Sequence, residues 1–148
     1  MEAFQRIAWA SAPVLRFLLG GLFIYAGVAK LLDVSAFVAQ LQRFGVGNPT
    51  LSTFAAHYLP FLEIACGVAL VARRCTLGAT TLCLSLLIVF EIGLLYAWVS
   101  GVRADCGCFG AFFGGASIQA AFVRNLGLLA IGAAVLAREW TLGRRSLS

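Results

Sequence analysis

Two thiols one residue apart lie within Arg103-Ala-Asp-Cys-Gly-Cys-Phe-Gly110. A disulfide between Cys106 and Cys108 closes a very small ring with poor torsion geometry. Strain of that kind raises a reduction potential and makes the bond labile. Gly107 lets the backbone bend between the two thiols without a Cβ clash. Asp105 and Arg103 stand close enough in sequence to tune thiolate reactivity. Such a dithiol is suited to passing disulfides to other proteins. Three other readings stay open. Zinc needs about four ligands, and His57 is the only histidine, so no metal is expected. Each thiol could pair structurally elsewhere, with Cys66 the one cysteine in plausible reach. Both could be inert.

The segment is polar and turn-forming, whereas the rest of the chain is not. Of 148 residues, 61% are hydrophobic and 11% are charged, against about a quarter charged in an ordinary soluble domain. So few polar residues cannot cover the apolar surface in water, which implies an integral membrane protein. The lipid bilayer is then the first partner. The net charge of +5 does not point to nucleic acid, because the basic residues sit at the ends of apolar runs.

One all-α domain covers residues 1–148, with spans at roughly 13–32, 54–72, 77–99 and 118–137. Each matches a bilayer core of about 30 Å. Met1 to Ala12 reads as an interfacial lead-in, with Pro13 in the first turn of span one. Arg16 and Lys30 are expected to snorkel to opposite interfaces. Phe37, Val38, Leu41 and Phe44 recur at helical spacing, predicting a short amphipathic helix on the membrane between spans one and two. Gly45, Gly47, Asn48 and Pro49 mark a turn. Pro60 is expected to kink span two near its start. No apolar stretch precedes Ala10-Ser11-Ala12, so no cleaved leader is expected.

Arg6, Arg16, Arg73, Arg74, Arg138, Arg144 and Arg145 fall on one side, against Lys30, Arg43 and Arg103 on the other. The richer side is expected to be cytoplasmic, with both termini there. The Cys-Gly-Cys loop then faces the periplasmic or extracellular side of a bacterial inner membrane, where disulfide chemistry operates. Cys75 and Cys83 read as small packing residues. Lys30, Glu63, Glu91 and Arg124 are charges within or at the ends of spans, one from each, all in the outer half. Such residues pair or line a functional cavity, and two positives with two negatives could form a neutral network. Cys66 lies three residues after Glu63 on nearly the same face and is a candidate relay thiol beneath the loop. The aromatics of the outer half read as interfacial belt, with a quinone pocket as the alternative.

Gly20-Gly21-Leu-Phe23, Ala26-Gly27-Val-Ala-Lys30-Leu-Leu-Asp33 with Phe37, and Pro60-Phe-Leu-Glu63 with Gly67 resemble the DoxX-like membrane proteins. Asp105-Cys-Gly-Cys-Phe-Gly110 followed by Arg124-Asn125 resembles the MauE branch of that group. The resemblance covers nearly the whole chain. It implies a four-helix membrane protein tied to periplasmic thiol–disulfide chemistry and to a thioredoxin-like partner of the MauD or TlpA type. For MauE it also implies maturation of the disulfide-rich small subunit of methylamine dehydrogenase. The architecture is also similar to DsbB and the vitamin K epoxide reductases, but their Cys-x-x-Cys is absent.

The expected function is therefore thiol–disulfide oxidoreduction at Cys106 and Cys108, supported by Lys30, Glu63, Glu91, Arg124, Asp105 and Arg103. A non-enzymatic membrane scaffold is one alternative. A quinone-linked, DoxD-like sulfur-compound oxidoreductase subunit is another, with quinone as its cofactor.

Overall fold

The computed structural model describes residues 2–44, 48–101 and 118–145, with side chains placed for 13–44, 48–101 and 119–141. Within them the chain forms five helices: α1 (Glu2–Leu32), α2 (Val34–Arg43), α3 (Pro49–Val71), α4 (Thr76–Val99) and α5 (Ile118–Arg145). No strand occurs among the described residues. Four stretches are long and apolar enough to cross a bilayer: Pro13–Leu32, Pro49–Val71, Thr76–Val99 and Gln119–Thr141. At 20 to 24 residues they reach about 30–36 Å at 1.5 Å per residue. Phe61, Ile88, Ile92 and Val123 point outward and are exposed, as lipid-facing side chains should be.

The four long helices pack in the ring α1–α3–α4–α5. α1 and α3 approach closely because both carry glycine at the crossing. A Cβ on Gly67 would stand 2.6 Å from the Gly20 carbonyl oxygen, and one on Gly27 would stand 2.7 Å from that of Pro60. Small residues at such crossings let dispersion replace the missing hydrophobic driving force in lipid. The central core joins Leu19 and Phe23 of α1, Cys66 and Leu70 of α3, Cys83 and Leu87 of α4, and Leu128 of α5.

α2 is the expected amphipathic helix. Asp33 caps it, its Oδ1 accepting from the Ala36 N–H at 3.0 Å and the Ser35 hydroxyl at 2.8 Å. Those two bonds, the backbone one first, hold the Asp33 carboxyl below its ordinary range. Phe37 and Leu41 bury against Ala56 of α3. Phe44, just past the helix, packs with Leu94 and Ala97 of α4 and Ala121 of α5. The short helix thus lies across the end of the bundle where α1 ends and α3 begins.

Several boundaries differ from the sequence reading. α1 does not begin at Pro13 but at Glu2. Ala3, Ala8, Ala10 and Ala12 favour helix, and the one backbone bond that Pro13 removes does not stop it. α3 begins at Pro49, five residues before the expected start. Asn48 caps it by accepting from the Thr50 N–H at 3.0 Å, and proline suits the first helical position. The turn signal and the helix start are the same residues. Pro60 consequently falls mid-helix. α5 continues past residue 137 to Arg145.

Arg16 and Lys30 do not snorkel. They are 4% and 5% exposed and lie inside the bundle. α3 ends in a Schellman turn, in which the Arg74 N–H reaches the Ala69 carbonyl at 3.0 Å and the Arg73 N–H reaches that of Leu70 at 3.4 Å. Arg73 takes the left-handed position of that motif at φ 56°, which glycine usually fills.

Candidate functional site

The best-defined polar site is a buried ion pair between α1 and α3. Lys30 lies in the last turn of α1, one turn after Gly27. Gly27 sits against both Pro60 and Glu63 of the antiparallel α3, and the Lys30 side chain, leaning back toward the N-terminus of its own helix, reaches Glu63 across that contact. Lys30 Nζ donates to Glu63 Oε1 at 2.5 Å and Oε2 at 2.7 Å. Their side chains are 4% and 3% exposed. Two aromatic faces complete the cation's surroundings. Nζ stands 4.6 Å from the Phe90 ring centre and 5.4 Å from that of Phe37. Phe37 comes from α2, so the short helix supplies part of the roof of the site.

Taking two charges out of water is costly, and only good geometry with full pairing offsets it. Here both carboxylate oxygens face one ammonium. Cation–π contact is worth about 2 kcal/mol or more when desolvated. The arrangement is neutral as a unit, which is the condition for charge at this depth in a bilayer.

Beside the pair lies a cavity of about 20 Å³, with Lys30, Glu63 and Asn125 as its polar lining and Phe23, Phe90 and Leu128 among its apolar walls. One water needs about 10–15 Å³, so the cavity matches a single water in size. Asn125 is 5% exposed and its Oδ1 has no hydrogen-bond partner among the described residues. Glu91 of α4 is half-buried and has Asn125 as its polar neighbour. Among the described residues neither Glu91 oxygen reaches a hydrogen bond of good geometry. The polar groups thus run in sequence from Lys30 and Glu63, past the cavity and Asn125, to Glu91.

Of the expected site residues, Lys30 and Glu63 come together directly. Glu91 joins them through Asn125, rather than through an ion pair of its own. Arg124 is half-buried on α5, next to Asn125. Cys66 lies in the central core facing Cys83 across the α3–α4 contact. Both thiols are free. Cys106 and Cys108, with Asp105 and Arg103, lie outside the described residues.

Sequence reading left Asn125 out of the site. Its signal was present: Ala121, Asn125, Leu128, Gly132 and Val135 are the buried positions of α5 among the described side chains, and they recur at three- and four-residue spacing. Asn125 stands in that inward stripe, and Arg124 one position off it. The meeting of Cys66 with Cys83 had no signal, since it depends on how two helices rotate against each other.

A quinone ring does not fit the cavity, which has room for one water. The aromatic groove along Phe54, His57, Tyr58 and Phe61 is an open face of α3 alone and encloses no ring from two sides.

A four-span helical bundle with a neutralised ion pair in its interior is an integral membrane protein. The chain belongs to the MauE family: the family described as methylamine utilisation protein MauE matches residues 6–138. A methylamine utilization protein MauE from Paracoccus denitrificans is 34% identical over 104 residues, which is 70% of this chain and 54% of that protein. The chain thus spans about half the length of that curated relative. No solved structure matches.

Proposed function

We propose that this protein exchanges disulfides with a thioredoxin-like partner outside a bacterial inner membrane, through Cys106 and Cys108. One observation carries the reading. A MauE-family bundle links α4 to α5 by a connection whose sequence holds Cys106-Gly-Cys108, while the helices on either side bring Glu91 and Asn125 toward the buried Lys30–Glu63 pair. The basic residues of the opposite end, including Arg73, Arg74 and Arg138, favour that end being cytoplasmic.

The step is a thiol–disulfide exchange. A partner thiolate attacks one sulfur of the Cys106–Cys108 disulfide, giving a mixed disulfide and one free thiol. The partner's second thiol displaces the remaining loop sulfur. One disulfide is exchanged for one dithiol, and two electrons and two protons pass to the loop. The reverse direction uses the same bonds. The Lys30–Glu63 pair, Glu91 and Arg124 support the site by fixing the helices that carry the loop.

The test is trapping. With Cys106→Ser or Cys108→Ser, one of the two variants should accumulate a mixed disulfide with a thioredoxin-fold protein, visible as a reductant-sensitive band. If neither variant forms an adduct while the double variant keeps full activity in cells, the protein is a scaffold instead.

A further inference from the structure

The opposite end of the bundle holds a second polar site. Arg16 is buried between helices at 4% exposure. Among the described residues its Nε and Nη2 have no hydrogen-bond partner, nor has Nε of Arg138 on α5. Arg73, Arg138 and Glu139 all lie near enough to bear on Arg16 electrostatically. Glu139 is the one carboxylate among them, and its Oε2 accepts from the Thr76 hydroxyl at 2.8 Å. That bond places the start of α4 at the same end. α4 begins at Thr76 with no side-chain cap and no acidic residue in its first turn, so its N-terminal amides add positive potential. Among the described residues none of these arginines makes a salt bridge. Three guanidinium groups and a helix N-terminus thus share this end of the bundle with the Glu139 carboxylate.

Arg73 adds a separate indication. It holds a left-handed backbone position at φ 56° where glycine would be unstrained. Glycine there would leave out the guanidinium. The surroundings say what kind of anion fits. Val14, Phe17 and Leu18 on the neighbouring face of α1, Leu77 at the start of α4 and Trp140 on α5 are exposed apolar side chains at this end. They suit acyl chains rather than a solvated ion.

We propose that the end of the bundle formed by Arg16, Arg73 and Arg138 binds the phosphate of an anionic phospholipid. The exposed Arg73 and half-buried Arg138 guanidinium groups hold the phosphate oxygens, and the buried Arg16 charge behind them, which lacks a counter-ion among the described residues, attracts the same phosphate. The acyl chains lie along the exposed apolar faces of α1 and α5. The pairing draws on the same attraction that makes basic juxtamembrane residues favour anionic lipid.

The experiment is native mass spectrometry of the full chain in detergent, with phosphatidylglycerol or phosphatidylcholine of the same acyl length. The expected result is retention of phosphatidylglycerol in preference to phosphatidylcholine. Arg16→Gln and Arg73→Gly should each weaken that retention about fivefold, the worth of one basic residue near an anionic surface. Arg73→Gly removes backbone strain, so it should melt no lower than the unaltered protein in phosphatidylcholine while losing the protection given by phosphatidylglycerol. That keeps the test open should Arg16→Gln fail to fold. Equal retention of the two lipids, or unchanged phosphatidylglycerol binding by Arg73→Gly, would overturn the proposal. So would millimolar inorganic phosphate protecting the protein as well as the lipid does.

Discussion

Consider the consequences of removing one half of the Lys30–Glu63 pair. Lys30→Met keeps most of the side-chain volume but leaves a carboxylate 2% exposed with no counter-charge. Glu63→Gln leaves the ammonium with an amide and two aromatic faces. Breaking a buried pair by removing one partner typically costs about 3–5 kcal/mol, because a buried charge is left uncompensated. Replacing both partners by apolar groups is often neutral or stabilising. Lys30→Met with Glu63→Leu should therefore recover most of what either single change loses. The bidentate contacts at 2.5 and 2.7 Å place the pair at the strong end of that range, so Lys30→Met should cost at least about 3 kcal/mol. The double-mutant cycle should return a coupling of at least about 2 kcal/mol. Reversible unfolding in mixed micelles, followed by far-ultraviolet circular dichroism, measures all four proteins. Single changes costing less than about 1 kcal/mol, and adding without coupling, would refute the reasoning: the pair would then be wet, and the site open.

Three further outcomes follow from the packing and the caps. Gly67→Ala should cost about 1–3 kcal/mol through overpacking, since its Cβ would meet the Gly20 carbonyl at 2.6 Å. Gly21→Ala meets nothing within 4 Å and should be neutral or stabilising by up to about 1 kcal/mol; unfolding in mixed micelles separates the two. The Asp33 carboxyl is held below its ordinary value of 3.8, so its cap is fully present above that value and is lost as pH falls through the lowered one. Amide exchange at the start of α2 should therefore quicken only at strongly acid pH, whereas Asp33→Asn should show no such pH dependence. Lys30 rests against Phe37 of α2 and Phe90 of α4, so Phe90→Leu should destabilise the wild-type pair by about 2 kcal/mol. It should do so much less in the Lys30→Met, Glu63→Leu background, again by unfolding.

Much of this was legible from residue types alone. Four apolar runs of bilayer length cannot be anything but spans in a chain so poor in charge, and the 3.6-residue recurrence of Phe37, Leu41 and Phe44 was enough for α2. Helix ends were less legible, because Asn48-Pro49 serves equally as a turn and as a helix start. Counting residues along the spans puts Lys30 and Glu63 in the same half of the bilayer, but it cannot give helix rotation. That is why the pairing of Lys30 with Glu63, the turning of Asn125 into the cavity, and the meeting of Cys66 with Cys83 emerged only from the packed bundle. Arg16 misled for a related reason. A basic residue near a span end normally snorkels, and this one is enclosed by the α3–α4 turn and α5.

The most direct measurement is the redox state of Cys106 and Cys108 in living cells. Cells are quenched with acid, free thiols are blocked with one alkylating reagent, and those released by reductant are labelled with a second. Peptide mass spectrometry then reads each cysteine separately, which keeps Cys66, Cys75 and Cys83 out of the result. The two loop cysteines should be found partly oxidised, together, and should shift toward the reduced form when a dithiol is added to the medium. If they carry only the first label under all conditions, thiol–disulfide exchange is not what this protein does.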